Sequence, residues 1–127
     1  MQNYFIVFLG AGFGGMVRYW GSAFVYNFLP TTFPFGTLFV NILGSFIIGI
    51  VMFYLDTNEL IGTGMKVFLT IGFSGALTTF STFSLETINL LKEREYFLAG
   101  SNIILNVLLT LLALFIAYKI SKLLIGI

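Results

Sequence analysis

Neither cysteine nor histidine occurs in this 127-residue chain, and only 9% of its residues are charged. The first absence excludes disulfides, thiol nucleophiles and the commonest metal ligands. The second excludes an ordinary soluble domain, in which about a quarter of residues carry charge. A net charge of +1 supplies no basic surface for nucleic acid or for polybasic attachment to a membrane. Proline is confined to Pro30 and Pro34, which punctuate a single loop between two apolar runs. Catalytic chemistry is equally short of material. No phosphate-binding glycine loop ends in Lys-Ser or Lys-Thr, and Glu86 is the one acidic residue inside an apolar run.

Hydrophobic residues are what the chain has, 58% of it, including 16 phenylalanines. That composition predicts an all-α membrane protein, since helices satisfy their own backbone in lipid. There is room for four spans of roughly 20 residues each. They are placed at about 4–26, 36–55, 65–91 and 96–118, in one domain covering 1–127. The first run follows Met1-Gln2-Asn3, without a basic leader, and reads as a full span rather than a cleaved signal peptide.

Polar and small residues interrupt these spans in patterns. Gly10 and Gly14 form a GxxxG pair in the first, a spacing that lets another helix approach closely. Arg18, one turn on, either snorkels to the interface or faces protein or a wet vestibule where it attracts anions. Thr37, Asn41 and Ser45 recur every four residues and share one face of the second span; Asn102, Asn106 and Thr110 do the same in the fourth. On residue type alone, such stripes serve either as interhelical glue or as the lining of a path.

The third span holds the densest of these patterns, Gly-Phe-Ser-Gly-Ala-Leu-Thr-Thr-Phe-Ser-Thr-Phe-Ser-Leu-Glu over residues 72–86. An unbroken helix over 65–91 would be about 40 Å long, more than the bilayer core requires. A break between Gly75 and Thr79 relieves both the excess length and the polar run, with two half-helices meeting near mid-membrane. The lining then consists of donors: Asn41, Asn106, Thr79, Ser81, Thr82, Ser84 and Thr110. Phe80 and Phe83, three apart, are embedded among them. Their rings either pack or turn positive edges toward an anion. Basic residues number three on one face of the membrane (Lys66, Lys119, Lys122) and two on the other (Lys92, Arg94). That balance fixes no orientation. It predicts insertion both ways and an antiparallel homodimer in the lipid of the cell membrane.

The 72–86 stretch resembles the third-helix signature of the small dual-topology fluoride channels, the Fluc or CrcB family. Gly10 to Arg18 is similar to that family's first-helix motif, and Gly36-Thr37-Leu38-Phe39-Val40-Asn41 to its second-helix Gly-Thr-x-x-x-Asn. The family's fourth helix often carries two hydroxyl residues one turn apart; here Thr110 is followed by Leu114. The resemblance implies a passive channel for fluoride ion with two pores per antiparallel dimer. By position it puts Asn41, Phe80 and Phe83 on the fluoride path, with Ser81, Thr82 and Ser84 as a polar track. It implies a structural Na⁺ held by the carbonyls of Gly75 and Thr78 of both subunits, and Arg18, Thr37 and Glu86 toward the vestibules. Two rivals remain at this stage. A proton-coupled multidrug transporter needs a carboxylate in the first span, which carries Arg18 instead; a scaffold subunit would pass no ion.

Overall fold

The structure, a computed structural model, describes residues 2–126; Met1 and Ile127, both inside the expected domain, lie outside the described residues. Among the described residues there is no strand. Helix α1 covers Gln2–Val25 and α2 covers Phe35–Asp56. Helix α3 comprises residues 63–77, α4 covers Phe80–Lys92, and α5 covers Tyr96–Ile125. Among the described residues, three continuous or nearly continuous stretches are long and apolar enough to cross a bilayer: Phe35–Asp56, Thr63–Lys92 and Tyr96–Ile125. The chain is a multi-pass membrane protein. Helix α1 is diluted by Gly10, Gly12, Gly14, Gly15 and Gly21 and by Arg18, and is the least apolar of the long helices.

The helix ends follow from local chemistry. Pro34 opens α2 where a missing N–H costs nothing, and the Phe33 and Phe35 rings pack 4.8 Å apart across it. Helices α2 and α4 both close with a left-handed residue, Glu59 at φ 56° and Arg94 at φ 60°. Each closure has the same two bonds: Leu60 N–H to Leu55 O with Glu59 N–H to Asp56 O, and Glu95 N–H to Leu90 O with Arg94 N–H to Leu91 O. That is the Schellman pattern, here without its usual glycine. An ion pair of 3.0 Å between Asp56 and Lys66 ties the α2–α3 turn. Helix α5 runs to Ile125 rather than ending near Tyr118. No helix breaker intervenes, and Lys119 and Lys122 lay their ammonium groups back over the Phe115 and Tyr118 rings at 5.3 and 5.6 Å.

Helix α1 lies along α3, α2 along α5, and α4 rests on α5. The contacts are made by small residues, as expected where lipid leaves no hydrophobic drive between helices. A Cβ on Gly10 would stand 2.5 Å from the Phe68 carbonyl oxygen, and one on Gly14 would collide with that of Phe73. Gly49 meets Ala117 in the same way. Fully enclosed side chains include Val40, Leu77 and Ala117, but also Asn102 and Ser121. The interior is therefore partly polar. The outer face of α5, with Ile104, Leu108 and Leu111, is apolar and exposed.

Candidate functional site

Helix α3 does not run evenly into its break. It is α-helical over Thr63–Val67 and then widens into a π-helix over Phe68–Ser74, where Gly75 N–H reaches back five residues to Thr70 O. After Leu77 the backbone is extended, at φ −85°, ψ 157° for Thr78 and φ −149°, ψ 119° for Thr79. Thr79 caps α4: its Oγ1 accepts from Thr82 N–H at 3.1 Å. The C-terminal end of α3 has its own partner, because Arg18 Nε of α1 donates to Ala76 O at 2.9 Å. A guanidinium there meets the negative end of the helix dipole.

The gap in the helix is closed by a side chain from α2. Asn41 Oδ1 accepts from Thr79 N–H at 2.8 Å, while Asn41 Nδ2 donates to Thr79 O at 3.3 Å and to Asn106 Oδ1 at 2.9 Å. The amide thus pairs with both backbone groups of one residue, as a neighbouring antiparallel strand would. Asn106 Nδ2 passes the chain to Asn102, bonding its O and Oδ1 at 2.8 and 2.9 Å. Asn102 Nδ2 donates to Thr87 Oγ1 at 2.9 Å, and Thr87 donates to Phe83 O at 2.8 Å. All four side chains are buried. Three helices are joined by a relay in which both amide hydrogens of Asn41 and of Asn106 have acceptors, as a stabilising buried polar network requires.

Beside this relay lies an open groove of about 270 Å³. The break contributes Thr78, Thr79, Phe80 and Phe83 to its wall, and α2 and α5 contribute Asn41, Ser45, Asn106, Val107 and Thr110. The two phenylalanine rings are 5.4 Å apart and tilted by 59°. No carboxylate lines the groove. Of the residues singled out in the sequence, the structure brings eight together here: Asn41, Ser45, Thr78, Thr79, Phe80, Phe83, Asn106 and Thr110. Ser81, Thr82 and Ser84 stand on α4 outside it, Ser81 and Thr82 within reach of Thr79 Oγ1 and Ser84 bonded to Phe80 O.

A family model described as "CrcB-like protein, Camphor Resistance (CrcB)" matches residues 5–118, which contain every helix that shapes the groove except the last turns of α5. The chain belongs to the CrcB family. A CrcB relative from Granulibacter bethesdensis, named fluoride-specific ion channel FluC, is 43% identical over 125 residues, 98% of each chain. One of the same name from Clostridium perfringens strain 13 is 44% identical, over 94% of this chain and 93% of that one. A third, from Shewanella baltica strain OS185, is 41% identical over 94% and 96%.

Of the other expected residues of this CrcB chain, Arg18, Thr37, Glu86 and Gly75 lie around the groove rather than in it. Arg18 borders an open cavity of about 410 Å³ with Tyr19, Ser22 and Tyr26. Glu86 borders a smaller one of about 190 Å³ with Tyr26, Thr31 and Glu93, and has the buried Thr37 hydroxyl beside it. Gly75 is exposed, and Thr78 bonds its hydroxyl to Ser74 O at 3.1 Å. Leu114 is turned onto Gly49 of α2. Sequence reasoning passed over Thr87, which the relay needs. Its only signal was a place one turn after Phe83. Asn102 was visible in the α5 stripe but not separable from its neighbours as a buried link.

Proposed function

We propose that this chain is a passive, fluoride-selective anion channel rather than an enzyme, working as an antiparallel homodimer with two pores. The observation that carries the reading is the groove at the helix break, where two aromatic rings and hydroxyl residues share one wall without a carboxylate. Ring edges are positive, and a small anion stripped of water needs such partners. The names of the relatives support the same ion. Passive export suffices, because a membrane potential of ~100 mV drives an anion outward with about 2.3 kcal/mol per charge. On this reading α1 is a fourth membrane helix, and the break between α3 and α4 sits near mid-membrane.

The carbonyls of Gly75 and Thr78 fit a structural Na⁺. In an unbroken helix they would accept from Thr79 N–H and Thr82 N–H. Here those donors go instead to Asn41 Oδ1 and Thr79 Oγ1. Carbonyls at a helix C-terminus carry partial negative charge, and the exposure of Gly75 leaves its side of α3 open to a second subunit. When bound there, the ion would supply charge compensation between subunits.

Fluoride efflux from proteoliposomes, followed with a fluoride electrode, tests the reading. Efflux that is fast, and slow for chloride, is the expected result; no efflux would refute it. Phe80→Ile and Phe83→Ile then probe the rings. An under-coordinated buried charge costs several kcal/mol, and each ~1.4 kcal/mol slows passage about tenfold. Efflux is therefore expected to fall by orders of magnitude in both, and near-normal efflux would leave the rings as packing.

A further inference from the structure

The donors in the groove are almost all spent. Both hydrogens of Asn41 Nδ2 go to Thr79 O and Asn106 Oδ1, and those of Asn106 go to Asn102. The Thr78 hydroxyl donates to Ser74 O, that of Thr79 to Thr82 Oγ1, and that of Thr110 to Asn106 O. Phe80, Phe83 and Val107 have no polar hydrogen to give from their side chains. Among the described residues, Ser45 is the one groove-lining hydroxyl that makes no hydrogen bond within the protein. It stands on α2 one turn after Asn41 and is only partly buried.

We infer that Ser45 is a direct ligand of the transported anion, its O–H donating to the ion in the groove, and that Asn41 acts by positioning the break instead of binding the ion itself. The inference deepens the channel reading and rests on it. An anion entering the groove can accept a hydrogen bond from the Ser45 O–H without breaking any existing hydrogen bond. To accept one from Asn41 it would have to displace Thr79 O or Asn106 Oδ1 from the amide. A hydrogen bond to a full negative charge is roughly twice as strong as one between neutral groups. A single free hydroxyl at this point therefore weighs heavily in a wall whose other side-chain donors are already engaged. The neighbouring Gly44 fixes where that hydroxyl can stand. A Cβ at Gly44 would collide with the Thr78 methyl group, so α2 lies against the break with nothing between them.

The experiment uses the full-length protein in proteoliposomes and compares the wild type with Ser45→Ala and Ser45→Thr. Wild-type efflux reads the channel assignment, and its absence would overturn both the assignment and the role of Ser45. Given wild-type efflux, Ser45→Ala is expected to lower fluoride flux about tenfold or more while its melting temperature in detergent stays within a few degrees of the wild type. Ser45→Thr, which keeps the hydroxyl, should recover most of the flux. Unchanged flux in Ser45→Ala would overturn the inference, and so would equal losses in the alanine and threonine variants. Ser45→Cys separates loss of a donor from loss of fold: it keeps the volume with a weaker donor, and flux between those of the alanine and wild-type proteins is expected. Flux at the alanine level would still support the donor role, and flux at or above the wild-type level would refute it.

Discussion

One side chain, Asn41, holds the backbone of Thr79, on which the site depends. Its three bonds engage both polar groups of Thr79 and the amide of Asn106. Orphaning a buried donor or acceptor costs about 1–3 kcal/mol. Asn41→Ala, which strands Thr79 N–H and the Asn106 Oδ1 atom together, is expected to destabilise by at least that amount. Asn41→Asp can still accept from Thr79 N–H but presents oxygen to Thr79 O and to Asn106 Oδ1, so it should be no better than alanine. Thermal unfolding of the purified protein measures both. An aspartate variant as stable as the wild type would mean that the amide is not clamped as described. By contrast, Ser45→Ala removes a hydroxyl without a protein partner and should leave the melting temperature almost unmoved.

Among the elements, the contact of α1 with α3 sets the end of α3 at the break. Gly10 and Gly14 let the two backbones touch, and Arg18, one turn later on the same helix, reaches the Ala76 carbonyl. The fit and the cap belong together, because Arg18 arrives at α3 only if the glycines do. Gly14→Ala would drive a methyl group into the Phe73 carbonyl, a clash with backbone that no rotamer relieves. It is expected to cost about 1–3 kcal/mol, as overpacking does elsewhere. Gly12 and Gly15 have open space where a Cβ would go, and alanine there gains helix propensity of roughly 0.5–1 kcal/mol. The four variants, ranked by thermal stability in one detergent, should separate into two losers and two winners if Gly10→Ala is included. A uniform response would show that the spacing of the glycines does not matter.

For the whole molecule, the surface left bare by one copy is large and apolar, and it includes the break itself. Gly75 and Phe80 are both exposed, Phe80 at 78%. An antiparallel partner would cover this face and complete the carbonyl site, which is the dimer proposed above. On the proposed dual-topology reading, the near balance of basic residues lets insertion occur both ways. A unique cysteine placed at Thr57, in the α2–α3 turn, should then be reached by impermeant label from either side in about equal halves. Two lysines added to that turn should tilt the distribution and lower efflux, because one orientation becomes scarce. Labelling from a single side would exclude the antiparallel assembly.

Composition and spacing alone determined the class and the order of this protein. Apolar runs of sufficient length, the Pro30–Pro34 loop and the polar 56–64 turn mark where helices begin and end, because lipid tolerates little else. The polar stretch over 72–86 also marked where a helix had to yield. What sequence could not rank was the use of each polar group. Thr37, Asn41 and Ser45 are equivalent as a stripe, as are Asn102, Asn106 and Thr110. Only tertiary packing distinguishes an amide whose hydrogens are all taken from a hydroxyl that has none of its own bonds made. The same holds for Arg18, which the sequence left between the interface and a vestibule and which α3 engages through a carbonyl 58 positions away. Hydrogen-bond partners between helices are set by which faces meet and at what depth. Those follow from the close approach at Gly10, Gly14 and Gly44, a property of pairs of helices that neither helix carries alone.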